Sequence, residues 1–201
     1  MAIYVTSDAH GHVRALDEAL SKISLTSDDT LYVLGDMIDR GPDPVGVIKL
    51  VRSLPNALVL KGNHEQIMLD AIIGQDPLDA ETWDINGGWT TRQQLNDMEF
   101  EAYEELVRWM ATLPLYAVAE TDERPYLLVH AGIQTEAARA FLLEHGVDCA
   151  DGAGAVDADR ELLKQMLAVQ SSDDLLWIRH GYWDAPTGLL SAEGKGPVVV
   201  S

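Results

Sequence analysis

Short apolar segments alternate with amphipathic segments along the first third of the chain. The apolar, β-branched segments predict strands at about residues 2–7, 30–34 and 57–60. Apolar residues at helical spacing follow each strand and predict helices at about residues 13–23, 44–54 and 65–73. This repeated strand–helix order predicts an α/β fold with parallel strands and crossover helices.

The pattern changes over residues 76–113, which are predicted to be helical, with Trp83, Trp89 and Trp109 in the core of this insertion. Later strands are predicted at about residues 115–119, 126–130 and 198–200. Later helices are predicted at about residues 135–144 and 157–170. The Gly- and Asp-rich stretch 148–157 between these two helices is predicted to be a mobile surface loop.

The composition is that of a soluble globular protein with a large excess of acidic residues. Hydrophobic residues make up 47% and charged residues 23% of the chain, which excludes disorder or a coiled coil over its whole length. The net charge of −19 opposes binding to nucleic acid or to an anionic membrane, and neither is expected as a partner. A phosphorylated substrate would therefore need a local positive site, made by a metal ion or by arginines.

Nothing in the sequence indicates export or a membrane segment. Cys149 is the single cysteine, so no disulfide within the chain is expected. The first residues lack the basic segment and cleavage site of a signal peptide, and no apolar run approaches the roughly 18 residues of a membrane helix. A cytoplasmic location is expected, and the length of 201 residues predicts one domain.

Chemically reactive side chains follow four of the predicted strands. They are Asp8 and His10, then Asp36, Asp39 and Arg40, then Asn63 and His64, and finally His130. Ligands bind at the carboxyl ends of strands in α/β sheets, so these residues are candidates for one site. Their mixed oxygen and nitrogen ligands suit Mn, Fe or Zn better than Ca or Mg, and they suffice for two ions if one carboxylate is shared. The planar guanidinium of Arg40 suits a phosphate group.

Four motifs carry a family resemblance. They are Asp-x-His at 8–10, Gly-Asp-x-x-Asp-Arg-Gly at 35–41, Gly-Asn-His-Glu at 62–65 and His-Ala-Gly at 130–132. In this order the chain resembles the metal-dependent phosphoprotein phosphatases of the calcineurin-like metallophosphoesterase superfamily, and the resemblance continues to Arg179. It implies two mixed β-sheets packed face to face with helices on both outer sides. It also implies one catalytic domain over residues 1–201 with the helical insertion around 76–113.

The resemblance also implies a role for each matching residue. Asp8 and His10 would bind a first metal ion, Asp36 would bridge the two ions, and Asn63 and His130 would bind the second. His64, oriented by Asp39, would protonate the leaving oxygen. Arg40 and Arg179 would hold the phosphate. The cofactors would be two divalent ions, with Mn favoured and Fe, Zn or Ni as alternatives. A metal-bound hydroxide would attack phosphorus directly, without a phosphoenzyme.

The sequence departs from the family pattern after residues 197–200. There the family has Gly-His-Thr, whose histidine is a further ligand of the second metal, whereas this sequence stops at Ser201. We therefore expect a C-terminally shortened fold and a weaker second metal site. We also expect self-association through an exposed strand edge at residues 197–200.

The favoured function is a phosphomonoesterase that acts on phosphoserine or phosphothreonine in proteins, with small phosphoesters also accepted. Glu65 and the sequence Asp39-Arg40-Gly41 favour this interpretation. One alternative is a dinucleoside tetraphosphate hydrolase, and another is a catalytically weak phosphate-binding scaffold. For single residues, Asp39 and Arg40 could instead form a surface ion pair, His64 could cap its helix, and Arg179 could follow an ordinary edge strand at 175–178.

Overall fold

The structure of the protein is a computed structural model. Its described residues form two three-stranded sheets and nine α-helices. The described residues are 1–74, 76–147, 159–179, 187, 189 and 196–201. They fall into two units, Met1–Pro114 and Leu115–Ser201, each with one sheet. This α/β organisation with two sheets and helices is the predicted fold class. None of the described helices is long and apolar enough to cross a membrane.

The sheet of the first unit is entirely parallel. Its strands are β1 (Ile3–Thr6), β2 (Thr30–Val33) and β3 (Ala57–Val59), in that spatial order. The crossover helices are α1 (Val13–Ile23) and α2 (Pro44–Ser53), and α3 (Asn63–Leu69) follows β3. The predicted parallel strands with crossover helices are therefore confirmed. All three loops that leave the strands begin at the same edge of the sheet.

Local chemistry sets the ends of these helices. The Asp43 carboxylate accepts a hydrogen bond from the Gly46 amide at 2.9 Å, and Pro44 occupies the first helical position of α2. Helix α3 begins two residues earlier than its apolar periodicity predicts, because the Glu65 side chain accepts from the Gly62 amide and closes the first turn. A π-helical turn, Asp70–Gly74, continues α3.

The predicted helical insertion contains three helices, α4 (Pro77–Ile85), α5 (Trp89–Asn96) and α6 (Phe100–Ala111). Trp83 is buried in the core of the first unit, and Trp109 packs partly buried against the same core. Trp89 is 62% exposed, so its predicted core position is wrong. It is the first residue of α5, where the chain has just left the Gly87–Gly88 turn.

The second unit has a mixed sheet and an aliphatic core. Strands β4 (Tyr116–Glu120) and β5 (Pro125–Val129) pair antiparallel, and β6 (Val198–Val200) pairs parallel with β5. Its helices are α7 (Thr135–Glu144), α8 (Arg160–Ala168) and α9 (Ser172–Trp177). The predicted edge strand at residues 175–178 is wrong, because the Ser171 hydroxyl accepts from the Asp174 amide and starts a helix there. The predicted loop 148–157 and Cys149 lie outside the described residues.

Candidate metal and phosphate site

Unusual backbone conformations mark the loops that follow β1 and β2. Five non-glycine residues have positive φ there: Asp8 (54°), His10 (39°), Asp36 (53°), Asp39 (69°) and Arg40 (62°). Such conformations cost about 1–3 kcal/mol each and persist where the surrounding structure enforces them, often at functional sites. All five are residues that the motifs assign to the site.

Close backbone approach holds the two loops together. The His10 amide donates to the Asp36 carbonyl and the Gly11 amide donates to the Met37 carbonyl, both at 2.9 Å. A Cβ atom on Gly41 would lie 2.0 Å from the His10 carbonyl oxygen, so only glycine fits there. The strained residues are therefore fixed by backbone contacts between the loops.

Glu65 joins the loop after β2 to the start of α3. Its carboxylate accepts from the amides of Asp36, Met37 and Gly62, each at 2.8 Å. Burial, and then the neighbouring Asp36 carboxylate, raise the pKa of Glu65 to about 7. Because this side chain serves the backbone of the loop, its presence does not distinguish a protein phosphatase from another member of the superfamily.

The imidazoles of His10 and His64 are held in the same tautomer. Nδ1 of His10 lies 2.8 Å from the Ile38 carbonyl oxygen, and Nδ1 of His64 lies 2.7 Å from the Asp39 carboxylate. Both Nε2 atoms accept from the Arg40 guanidinium, at 2.8 and 2.7 Å. A guanidinium only donates, so the proton of each ring is on Nδ1 and the Nε2 lone pair faces the cluster. Desolvation by burial lowers the pKa of His10, which favours the neutral ring.

Carboxylates meet these two imidazole lone pairs. Asp36 Oδ2 lies 3.5 Å from His10 Nε2 and 3.9 Å from His64 Nε2, and Asp8 Oδ1 lies 3.7 Å from His10 Nε2. One ligand atom from each of His10, Asp36 and His64 falls within 4.8 Å of the others, so this group could hold a metal ion. The Nε2 lone pairs of His10 and His64 both point at the positive guanidinium of Arg40. These nitrogens and the nearby carboxylate oxygens are ligands that also fit a divalent cation.

The accessible side of the cluster carries opposite charges. The Asp8 side chain is 57% exposed, and Arg40 is also exposed, whereas His10, Asp36 and His64 are buried. Arg40 is thus the positive group of the cluster that a phosphate from solvent can reach. Asp39 is completely buried, which excludes a surface ion pair with Arg40.

The structure also gives the positions of three other predicted site residues. Asn63 is buried as the first residue of α3, directly before His64. His130 follows β5 and is buried in the second unit, and Arg179 is exposed after α9 in the same unit. Their roles in metal and phosphate binding stay predictions.

Sequence reasoning missed two side chains from the helical insertion. The Trp83 indole and the Thr91 hydroxyl both donate to the Asp39 carboxylate. The Gly87 carbonyl oxygen also accepts from the Arg40 amide at 3.0 Å, which places the turn between α4 and α5 against the site. The sequence Asn86-Gly87-Gly88, which is typical of a turn, is the local signal that could have indicated this contact.

Comparison with known proteins identifies the family. Residues 1–196 match the calcineurin-like phosphoesterases, and the chain belongs to this family. It is 31% identical over 136 residues to a symmetrical bis(5'-nucleosyl)-tetraphosphatase of Erwinia tasmaniensis, covering 66% of this chain and 45% of that protein. It is 33% identical over 139 residues to the protein of the same name from Proteus mirabilis, with coverage of 66% and 45%. The chain thus spans about half the length of the curated relatives it matches.

Solved structures show the same fold. A protein serine/threonine phosphatase from Saccharomyces cerevisiae superposes with a TM-score of 0.50 at 19% identity, over 79% of this chain and 43% of that one. At this identity the likeness concerns the fold alone. The calcineurin-like superfamily predicted from the motifs is therefore confirmed, whereas the names of the sequence relatives correspond to the alternative function, the tetraphosphatase.

Proposed function

We propose that this protein is a metal-dependent phosphoesterase that hydrolyses dinucleoside tetraphosphates symmetrically. The observation that carries the proposal is the buried cluster of His10, Asp36 and His64, which opens to solvent beside Arg40. The names of the sequence relatives support the substrate class. This proposal replaces the phosphoprotein phosphatase favoured by the motifs, because the structural role of Glu65 removes one of the arguments for it.

Residues of the four motifs would hold two cations. Asp8, His10 and Asp36 would hold one ion, and Asp36, Asn63 and His130 would hold a second. Bound divalent ions supply positive charge to phosphate oxygens and acidify a coordinated water. We propose Mn²⁺ as the ion, with Fe, Zn or Ni as alternatives, because the set mixes carboxylate oxygens with imidazole nitrogens.

The protein's own side chains would bind and orient the substrate. Arg40 would transfer its hydrogen bonds from the two imidazoles to a phosphate group, which it fits with two parallel N–H donors. This transfer frees the Nε2 lone pair of His64, whose ring is oriented by Asp39. Nε2 would then take up a proton from water and deliver it to the leaving oxygen. Arg179 would add a second positive contact to the phosphate.

The polyphosphate chain suits a site with these charges. The protein carries a net charge of −19, which repels an anionic substrate. Such a substrate is held only where the positive charges of bound cations and of Arg40 exceed this repulsion. Symmetrical cleavage of a tetraphosphate breaks the bond between its two central phosphates, and both products are then nucleoside diphosphates. Analysis of the products therefore tests the proposal directly.

The experiment compares three substrates in the presence of Mn²⁺: diadenosine tetraphosphate, a phosphoserine peptide and p-nitrophenyl phosphate. We expect ADP as the product of the first and a kcat/KM at least about tenfold above that for the peptide. Asp36→Asn should abolish turnover, whereas His12→Gln, which removes an exposed imidazole near the site, should preserve it. A preference for the peptide would restore the phosphoprotein phosphatase. Absence of metal-dependent turnover on all three would favour the phosphate-binding scaffold.

A further inference from the structure

The Asp39 carboxylate is surrounded by donors from two parts of the first unit. It is completely buried. On one side, His64 Nδ1 lies 2.7 Å from Oδ2. On the other, the Thr91 hydroxyl donates to Oδ1 at 2.6 Å, and the Trp83 indole donates to Oδ1 at 3.0 Å and to Oδ2 at 3.2 Å. The helical insertion thus contacts the same carboxylate that orients His64.

The direction of these hydrogen bonds is fixed by chemistry. The Asp39 amide donates to the Thr91 hydroxyl oxygen at 2.9 Å, so the hydroxyl proton is directed at the carboxylate. An indole N–H can only donate. Both groups of the insertion therefore act as donors, and Asp39 accepts from each of them. With Oδ1 occupied by Thr91 and Trp83, Oδ2 is presented to the Nδ1 proton of His64.

We infer that Trp83 and Thr91 are positioning residues for His64: they fix the rotation of the Asp39 carboxylate, and through it the tautomer and direction of the imidazole. The inference rests on the proposed role of His64 as the group that protonates the leaving oxygen. It explains why the turn between α4 and α5 is held against the loop after β2. Neither residue touches the substrate in this account.

The chain offers a matched control for each residue. Thr90 is the neighbour of Thr91 and is also buried, but its hydroxyl has no hydrogen-bond partner among the described residues. Trp109 packs on the same hydrophobic core as Trp83 and also has an arginine over its ring, Arg52 at 5.1 Å. Arg92 lies 4.9 Å from the centre of the Trp83 ring. Substituting a control residue therefore removes a similar side chain without a bond to Asp39.

The first test compares two phosphomonoesters in Mn²⁺, one with a leaving group that needs a proton and one that does not. Phenyl phosphate is the former and p-nitrophenyl phosphate the latter. In Trp83→Phe and Thr91→Val we expect kcat on phenyl phosphate to fall roughly tenfold more than on p-nitrophenyl phosphate, part of the about 10²–10⁴-fold that a general acid contributes. KM should stay unchanged. Thr91→Ser, which keeps the hydroxyl, should restore the ratio, and Thr90→Val and Trp109→Phe should not alter it.

The second test uses the metal-free chain and needs no turnover. The Nδ1 proton of His64 should give a low-field proton NMR signal that disappears in His64→Asn. We expect this signal to shift or exchange away in Trp83→Phe and Thr91→Val and to remain in Thr91→Ser and in both controls. An unmoved signal in both variants, or equal losses of kcat on the two phosphomonoesters, would overturn the inference. If neither phosphomonoester is hydrolysed, the comparison of leaving groups cannot be made and the NMR result alone decides the inference, while hydrolysis of diadenosine tetraphosphate still tests the proposed function separately.

Discussion

The two units bury different kinds of side chain. In the first unit the buried polar side chains include His10, Asp29, Asp36, Asp39, Asn63, His64, Glu65, Thr90 and Thr91. In the second unit those described are His130 and Gln170, within a core of aliphatic residues. Buried polar groups destabilise a fold unless they are hydrogen-bonded. In the first unit Glu65, His64 and Asp39 are held by such hydrogen bonds, whereas the core of the second unit contributes mainly to stability.

The backbone shows the same difference. All positive-φ residues other than glycine among the described residues belong to the first unit, and five of them lie in the loops after β1 and β2. The second unit has regular helices joined to a small mixed sheet. Strain and buried charge at the same positions indicate that the first unit carries chemistry. Substitutions of the buried polar groups of the first unit should accordingly affect activity, and substitutions in the aliphatic core of the second unit should affect stability.

The largest expected effect is on catalysis. His64→Asn should reduce kcat on phenyl phosphate by about 10²–10⁴-fold, because the proton for the leaving oxygen is lost. The thermal midpoint should change little. His145→Asn is the control from the second unit, where an exposed histidine bonds to the Phe141 carbonyl. Comparable losses in both variants would remove the functional difference between the units.

The next effect is on stability. Leu142 is fully buried in the core of the second unit, and its neighbour Leu143 is 63% exposed. Leu142→Ala should lower the free energy of unfolding by about 2–5 kcal/mol, because it removes buried methyl groups and leaves a cavity. Leu143→Ala should change it by less than about 0.5 kcal/mol. Denaturant unfolding measures both, and a larger loss from Leu143→Ala would show that the core is misplaced.

Helix caps should have small and similar effects in both units. The Asp43 carboxylate caps α2 in the first unit, and the Asp159 carboxylate accepts from the Leu162 amide at 2.8 Å in the second. Asp43→Ala and Asp159→Ala should each lower the free energy of unfolding by about 1 kcal/mol. Because both are structural, neither should change Mn²⁺ affinity in a binding titration. A change in affinity for Asp43→Ala alone would show that this cap also supports the metal site.

Hydrophobic periodicity was sufficient to predict much of the fold. Helices α1 and α7 begin and end where the amphipathic pattern does, at Val13–Ile23 and Thr135–Glu144. The apolar run at 175–178 was misleading, since the Ser171 cap and the acidic first turn favour a helix over a strand. Periodicity reports burial but not local hydrogen bonds to the backbone, and those decided this segment.

The site was predictable only where its residues follow strands in short motifs. Asp36, Asp39, Arg40 and His64 come together as expected because parallel strands bring their loops to one edge. The contacts of Asp39 with Thr91 and Trp83 span 52 and 44 positions, so no local pattern could reveal them. The structural role of Glu65 was hidden for a related reason, since it bonds to backbone amides as far as 29 positions away.

The central claim is that the first unit holds a divalent cation at His10 and Asp36. Its most direct measurement is a calorimetric Mn²⁺ titration of the metal-free chain, of Asp36→Asn and of Asp17→Asn, which removes an exposed carboxylate on α1. Changes beside a metal ligand typically cost 10–100-fold in affinity, so loss of the ligand itself should weaken binding at least about 100-fold. Asp17→Asn should bind as the unaltered chain does. Equal affinity in the chain and in Asp36→Asn, or no binding to either, would contradict this account.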